Sequence, residues 1–324
     1  MAGAAVEPKG REWRAGSQVL ALLGVPLNGL IVGALAKGPM SHAELHRELG
    51  NPAQTTLRGH LSKLESLGAV RRTPTVRHSL FAAYELSVAG QDLLVATRAL
   101  EVWLGKSPQG PIPLGSEPAK GAVKALAGAW ESMTMRALAG GPLSLTQLDS
   151  LIGSLSYPAL ERRLSAMRAA GLAAASKGRG RDGIPYVVTP WARQGIGPIA
   201  SAAHFERQHM DLDTPRMAPI DVEAAFLLAT PIVPLPLAAS GVCDLIAETR
   251  DGSRRLSGVE VAVDRGKVVS CIARVGESPS NWVLGAAATW LGAVVHRRLE
   301  GLRIGGDRHL GCSLVYGLHE LLYA

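Results

Sequence analysis

The stretch "NPAQTTLRGHLSKLESLGAV" (51–70) decides how the chain is read. Leu57, Leu61 and Leu64 recur at i, i+4 and i+7, which predicts a helix with one stripe turned to a core. Asn51-Pro52 marks a start and Gly68 a stop. The opposite face carries Gln54, Thr55, Thr56, Arg58, Gly59, Ser62 and Lys63. Such side chains reach base edges and phosphates, whereas a merely solvated face usually holds more Glu–Lys pairs. Both readings stay open on this stretch alone, so its surroundings must decide.

The surroundings repeat. Slid by 103 positions the chain matches itself: Gly38-Pro39-Met40-Ser41 falls on Gly141-Pro142-Leu143-Ser144. Leu57, Leu61, Leu64 and Gly68 fall on Leu160, Leu164, Met167 and Gly171, and after one deletion Tyr84 falls on Tyr186. Agreement of this length signals an internal duplication. Each copy reads as a long apolar helix ending at Gly-Pro, then a short helix with a capping box (Ser41-x-x-Glu44, Ser144-x-x-Gln147). A glycine turn, the striped helix and short strands around a basic tip follow, and Ser87 or Thr189 opens a closing helix. That order is the winged helix-turn-helix plan, whose second turn-flanking helix enters the major groove.

The duplication also disposes of a false alarm. "VLALLGVPLNGLIVGALA" (19–36) imitates a signal peptide or a short span. Its partner "AVKALAGAWESMTMRALA" (122–139) holds Lys124, Glu131 and Arg136, which no membrane core accepts. Both are expected to be first helices of soluble domains, in a cytoplasmic protein without export signal or anchor.

Bulk properties agree. The 324 residues suffice for two or three domains, the net charge is +7 and the pI is near 9.6. A basic balance favours a polyanionic partner. Net charge is +3 over 1–104, +4 over 105–215 and 0 over 216–324, so the last third is a different kind of domain. Cys243, Cys271 and Cys312 all lie there. Without a C-x-x-C they read as reduced thiols, used as small buried hydrophobes rather than as a redox sensor.

Through "GPMSHAELHRELG", "TLRGHLSKLESLGAV" and "YELSVAGQDLLVATRALEVWL", residues 16–104 resemble HxlR-type winged-helix regulators of the MarR-like group. Residues 120–205 resemble a second copy through "LERRLSAMRAAGL" and "IPYVVTPWARQGI". The resemblance implies a transcriptional regulator that binds operator DNA. In copy one, Gln54, Thr55, Thr56 and Arg58 are expected near base edges, with His60 and Lys63 nearer phosphates. The tip supplies Arg71, Arg72, Arg77 and His78 for backbone or minor-groove contact. In copy two Glu161 replaces Arg58 and Pro158 replaces Thr55. Tyr157, Arg162, Arg163 and Arg168, with Lys177, Arg179 and Arg181 on the wing, are expected to grip phosphate while reading fewer bases.

The expected fold class is mainly α with α+β: two winged helix-turn-helix domains (1–104 and 120–210), joined by a Pro/Gly-rich linker (105–119), then a second linker (211–219). Two readers in one chain make a monomeric pseudo-dimer, or the unit of a homodimer, suited to an imperfect palindrome of double-stranded operator DNA. The third domain (220–324) shows a hairpin over 258–275, with Val259, Val261 and Val263 alternating before Asp264-Arg265-Gly266. A helix over 278–299, a strand and a last helix capped by Asp307 follow. "VEVAVDRGKVVSCIARV", "NWVLGAAATWLGAVV" and "LEGLRIGGDRHLGCSLVYGLHELL" are similar to the sterol-carrier-protein-like fold. That resemblance implies an apolar tunnel for a lipid-like effector, lined by Phe226, Leu228, Leu235, Leu237, Trp282, Trp290, Val294, Leu314 and Leu318.

No H-E-x-x-H, P-loop or G-x-S-x-G appears, so neither an enzyme nor a cofactor is expected. His42/His46 lack a third ligand, and His204/His209 at i, i+5 should point apart, so no metal is expected either. The overall expectation is a ligand-controlled regulator, most simply a repressor. Its alternatives are a hydrophobic-ligand carrier whose winged helices serve protein contacts, and an architectural DNA binder.

Overall fold

The computed structural model describes residues 15–74, 82–131, 133–153, 155–176, 183–210, 217–251, 253–276 and 278–323. The first unit runs α1 (Ser17–Leu23), α2 (Pro26–Leu35), β1 (Met40–Ser41), α3 (His42–Glu48), α4 (Gln54–Ser66), β2 (Val70–Pro74), β3 (Ala82–Leu86) and α5 (Val88–Gly105). The second runs α6 (Glu117–Glu131), α7 (Met133–Ala139), β4 (Leu143–Ser144), α8 (Leu145–Leu151), α9 (Tyr157–Ala169), β5 (Ala173–Ala175), β6 (Pro185–Val188), α10 (Pro190–Gln194) and α11 (Ile196–His209). Each forms a three-stranded sheet of the same plan, β1-β3-β2 and β4-β6-β5. The register repeats too: Met40 pairs with Tyr84, and Leu143 with Tyr186.

The repeat extends to single hydrogen bonds. Both capping boxes form, Ser41 with Glu44 and Ser144 with Gln147. Gly68 and Gly171 take left-handed backbone (φ 68° and 74°) after α4 and α9. Ala69 N then donates to Leu64 O (3.0 Å) and Leu172 N to Met167 O (2.8 Å), the six-to-one bond of a Schellman motif. An L side chain at either glycine strains that turn. The Ser87 hydroxyl donates to Gly68 O, and Thr189 Oγ1 to Gly171 O (2.7 Å). The same hydroxyls cap Gly90 N and Ala192 N, so one side chain in each unit ties the striped helix to the closing helix.

Three expectations need correction. The first apolar stretch is two helices, α1 and α2, bent by 84°. The break precedes Pro26, whose ring starts α2. At the break the fully buried Asn28 amide donates to Leu22 O (2.8 Å), which explains a polar residue in an apolar run. The linker is shorter than 105–119, because α6 starts at Glu117, and it is packed. Ile112 N donates to Leu104 O (3.1 Å), and a Cβ on Gly29 would meet Leu114 at 3.0 Å. Finally, the closing helix of the second unit divides at Gly195, where a Cβ would lie 2.6 Å from Leu126. No single helix among the described residues is long and apolar enough to cross a membrane; α1 and α2 reach that composition only as a bent pair, and both lie largely in the core.

The third unit comprises α12 (Pro219–Ala229), a 3₁₀ turn (Thr230–Ile232), β7 (Gly241–Asp251), β8 (Ser253–Asp264), β9 (Lys267–Ile272), β10 (Trp282–Ala286), α13 (Ala287–His296), β11 (Arg303–Gly305) and α14 (Arg308–Tyr323). The sheet order is β11-β10-β7-β8-β9, with β10 parallel to β7 and the other pairs antiparallel. Val259, Val261 and Val263 are buried as expected, and Arg265 and Gly266 turn the hairpin with positive φ. Asp307 caps α14 through His309 N and Leu310 N. The expected long helix over 278–299 is instead strand β10 followed by α13. Val283 and Leu284 are buried in that strand, and a continuous apolar run does not separate buried strand from helix.

The units are not beads on a string. α5 of the first packs along α11 of the second. Trp103 and Trp191 stack with centroids 4.4 Å apart and planes 3° from parallel. Each indole donates to the other's carbonyl, Trp103 Nε1 to Trp191 O (2.9 Å) and Trp191 Nε1 to Trp103 O (2.7 Å). Glu206, buried on α11, accepts from Gly16 N (2.6 Å) and Val19 N (2.9 Å) at the start of α1. α11 also meets the third unit through Tyr323, which donates to Gly197 O (3.1 Å), and from α10 Arg193 Nη1 donates to Leu227 O and Leu228 O at the end of α12.

Removal of either stacked indole, Trp103→Ala or Trp191→Ala, is expected to cost about 3–5 kcal/mol. Because the pair shares its contacts, the double variant should lose less than the sum in urea unfolding. A second measurement concerns Glu206. Burial raises its carboxyl above the ordinary value of 4.5, against the backbone amides that favour its charge. The native state therefore holds the proton more tightly, and this contribution is complete below about pH 4.5 and lost as pH rises through the native value. Unfolding midpoints should fall with pH across that window, and Glu206→Gln should remove that component of the slope.

Candidate nucleic-acid interface

The striped helix sits as its sequence requires. Leu57, Leu61 and Leu64 are buried, while Gln54, Thr55, Thr56, Arg58, Gly59, Ser62 and Lys63 are exposed. α4 thus presents a continuous polar face next to the hairpin of β2 and β3. The second unit repeats this: Leu160, Leu164 and Met167 are buried, and Tyr157, Glu161, Arg162, Arg163 and Arg168 are exposed.

A cleft of about 680 Å³ adjoins α4, walled by α3, α4 and the hairpin, with Arg47, Arg58 and Arg72 around it. His42, also in its wall, is held below its ordinary pKa by burial, then by Arg58 and His46. Such a concentration of cations suits phosphate oxygens. Arg47 was not singled out from sequence. Its signal was there, a basic residue in the last turn of the helix before the striped one.

Five assigned residues have other occupations. His60 is half-buried and turned away from the polar face: its Nδ1–H donates to Asn28 Oδ1 (2.7 Å) on α2. Burial, then Lys63, lowers its pKa, so it belongs to the seam between α2 and α4 rather than to the phosphate-facing set. Arg71 pairs across the hairpin with Glu85 (2.7 Å), and Arg72 is bidentate on Glu65 (2.7 and 3.1 Å) and lies over the Tyr84 ring. Both arginines remain more than half exposed. Exposed pairs of this kind are worth at most about 1 kcal/mol, so a phosphate competes readily for either guanidinium. In the second unit Arg168 lies over Tyr186 (5.3 Å). It stands where the first unit has Glu65, and Ala175 stands where the first has Arg72. The cation over the tyrosine is kept, but it comes from the helix instead of the strand. Arg162 Nε folds back on Pro158 O (3.3 Å), and Arg163 is exposed beside it. Arg77, His78, Lys177, Arg179 and Arg181 lie outside the described residues.

With the geometry of α3, the turn and α4 in place, the comparison with known families is direct. Residues 22–109 match the HxlR-like helix-turn-helix family. The match runs from the end of α1 to just past α5, so it takes in the whole leucine-backed helix and its hairpin. No curated protein matches the chain. The HxlR-like region thus has a helix-turn-helix in which α4 is the second helix, the one that such motifs lay in the major groove.

The residues assigned to an apolar tunnel separate. Phe226, Trp290, Val294 and Leu318 border an apolar void of about 40 Å³ between α11, α12, α13 and α14. Leu228 and Leu314 are fully buried core. Trp282 lies on β10 against Gly305, whose Cβ would meet the indole at 2.3 Å, and Leu235 packs by Gly317. Leu237 is 82% exposed and lines nothing. Drug-sized ligands occupy roughly 300–1,000 Å³, so the expected tunnel is closed here by its own aromatic and aliphatic side chains. Burial pushes the Cys243 and Cys271 thiols up to about 12, but only Cys243 is fully buried; Cys271 and Cys312 are half-buried, unlike the expectation of three buried hydrophobes.

His204 and His209 are not ligands of one another's site, as their i, i+5 spacing predicts, but each meets a member of one polar cluster. His209 Nε2 lies 2.7 Å from Asp92 Oδ2, and His204 Nε2 lies 3.0 Å from His296 Nε2. The His296 ring is itself 3.9 Å from Asp92 Oδ1.

The two histidine and arginine assignments on α4 are separable. Arg58→Ala should weaken duplex binding by roughly 5–150-fold, the worth of about 1–3 kcal/mol for a good base contact, with unchanged thermal stability. His60→Ala should lower the melting temperature instead, because it leaves Asn28 Oδ1 without its donor, and should leave affinity nearly unchanged. Melting curves and gel shifts on the same preparations read both.

Proposed function

We propose that the chain is a sequence-specific, double-stranded-DNA-binding transcriptional regulator whose principal reader is α4. The observation that carries this is the exposed Gln-Thr-Thr-Arg face on a helix backed by fully buried leucines, inside the region that matches the HxlR-like helix-turn-helix family. Gln54, Thr55, Thr56 and Arg58 address base edges; Lys63, Arg47 and the hairpin arginines address phosphates.

The finer reading is a tandem regulator. The second unit repeats the first in element order, sheet register and capping bonds, which supports a second winged helix with α9 as reader. Glu161 at the position of Arg58 makes that reader poorer in base contacts, so the operator is an imperfect palindrome gripped unequally. The third unit is read as a sterol-carrier-like domain on the succession of the β8–β9 hairpin, α13, β11 and α14, to which β10 is an addition. Its apolar void abuts α11 through Ile196 and Ala200. A small apolar molecule that opens this void wedges α11 from α13 and shifts the readers, and repression relieved by such a molecule is the sign we assign. The coupling is only as large as the molecule's preference for one arrangement over the other. The work is done in the cytoplasm, on chromosomal DNA.

Selection from a random duplex library, followed by footprinting at rising salt, tests the reading. The expected footprint covers two neighbouring major-groove sites about 10 base pairs apart, with one half more strongly protected. Sequence preference should survive as nonspecific binding fades with salt. A protein whose selected pool stays random, or whose specific binding ignores both Thr56→Ala and Arg58→Ala, is not the regulator described here.

A further inference from the structure

Where the three units meet, the side chains are not the apolar ones that junctions of this kind favour. α5 contributes Asp92, α11 contributes His204 and His209, and α13 contributes His296. One ligand-capable atom from each of Asp92, His204 and His296 lies within 4.8 Å of the others. His204 Nε2 and His296 Nε2 are 3.0 Å apart, and His296 Nε2 is 3.9 Å from Asp92 Oδ1. The second carboxylate oxygen, Asp92 Oδ2, takes the His209 Nε2 contact at 2.7 Å.

This arrangement is costly as a piece of packing. His204 is only 7% exposed, and its Nδ1 is buried with no hydrogen-bond partner among the described residues. Its one polar contact is through Nε2, towards another imidazole nitrogen. A shared proton would satisfy that contact by halves, since one ring must then accept where both are able to act as ligands. A buried polar ring without a full set of partners keeps its desolvation penalty, and an alanine or leucine at 204 would avoid it. Access is provided for. A cleft of about 570 Å³ opens on the cluster, walled by Val88, Gln208, Thr289 and Gly292, with Arg298 and Glu300 also lining it.

We infer that Asp92, His204 and His296 form a binding site for one divalent first-row transition-metal ion, with His209 orienting the Asp92 carboxylate. Two imidazoles and a carboxylate are a recurrent ligand set for zinc and its neighbours, with water completing the shell from the open side. Ligand atoms about 2.0–2.2 Å from zinc are at most about 4.4 Å apart, so a small side-chain adjustment closes the cluster on an ion. The His209–Asp92 contact is the outer-shell hydrogen bond that metal-binding carboxylates use to fix their orientation. Because the three ligands come from α5, α11 and α13, a bound ion clamps both tandem units to the third. It does so whether or not the chain reads DNA.

Zinc titration of chelator-treated full-length chain by calorimetry tests the site, with cobalt(II) as a spectroscopic probe. One equivalent should bind, cobalt should give visible d–d bands, and zinc should raise the melting temperature. His296→Gln and Asp92→Asn, both at partly exposed positions, should each weaken zinc at least tenfold while keeping the far-UV circular dichroism of the parent. His209→Asn should weaken it less than either ligand variant measured in the same titration, as expected for an outer-shell partner. Absence of binding, or a stoichiometry and affinity indifferent to both His296→Gln and Asp92→Asn, overturns the proposal. Neither result bears on whether α4 reads DNA.

Discussion

α11 is buried along an unbroken run from Ile196 to Glu206, and this fact constrains everything around it. A helix in that position needs apolar or very small side chains on every face. The sequence complies with Gly197, Ala200, Ser201, Ala202 and Ala203, and these let neighbours approach closely: a Cβ on Gly197 would meet Leu322 O at 2.7 Å. α1 and α5 press on it from the first unit, and α12, α13 and α14 from the third. Of the polar groups admitted, Glu206 is answered by the start of α1 and Ser201 by Tyr323, whereas His204 is answered only at Nε2, by His296. A shift of α11 therefore cannot stay local.

The first unit was legible in the sequence because its signals are local. A leucine stripe, a left-handed glycine and a Ser-x-x-Glu box each act within a few residues, and duplication states each of them twice. Local signals do not say who sits across an interface. Nothing near His60 announces Asn28 as its partner, since the two are 32 positions apart. Arg71 and Arg72 looked free because Glu85 and Glu65 are met only once the hairpin folds back. The β10 strand was misread for a different reason: Trp282 to Ala286 is apolar throughout, and buried strand and buried helix share that pattern. The histidine cluster was invisible because its members come from three elements separated by more than two hundred residues.

The first two units, alike in plan, differ in a particular way. What holds each unit together, the capping boxes, the Schellman glycines and the Ser87 or Thr189 tie, is kept almost atom for atom. What faces outward is not. Arg58 has become Glu161, and the cation over the conserved-position tyrosine has moved from strand to helix. Scaffold positions are restricted by backbone hydrogen bonds that few residue types can make, whereas exposed positions on α4 and α9 are free to change with the partner they meet.

The stacked Trp103 and Trp191 also alter how concentration enters the behaviour of this molecule. Two separate chains joined by such a contact come apart when diluted, because their pairing is a second-order event. Here both indoles belong to one covalent chain, joined by a packed and not a trailing connection, so their encounter is intramolecular and independent of how many molecules are present. A cell holding a handful of copies has the α5–α11 pairing as fully formed as one holding thousands.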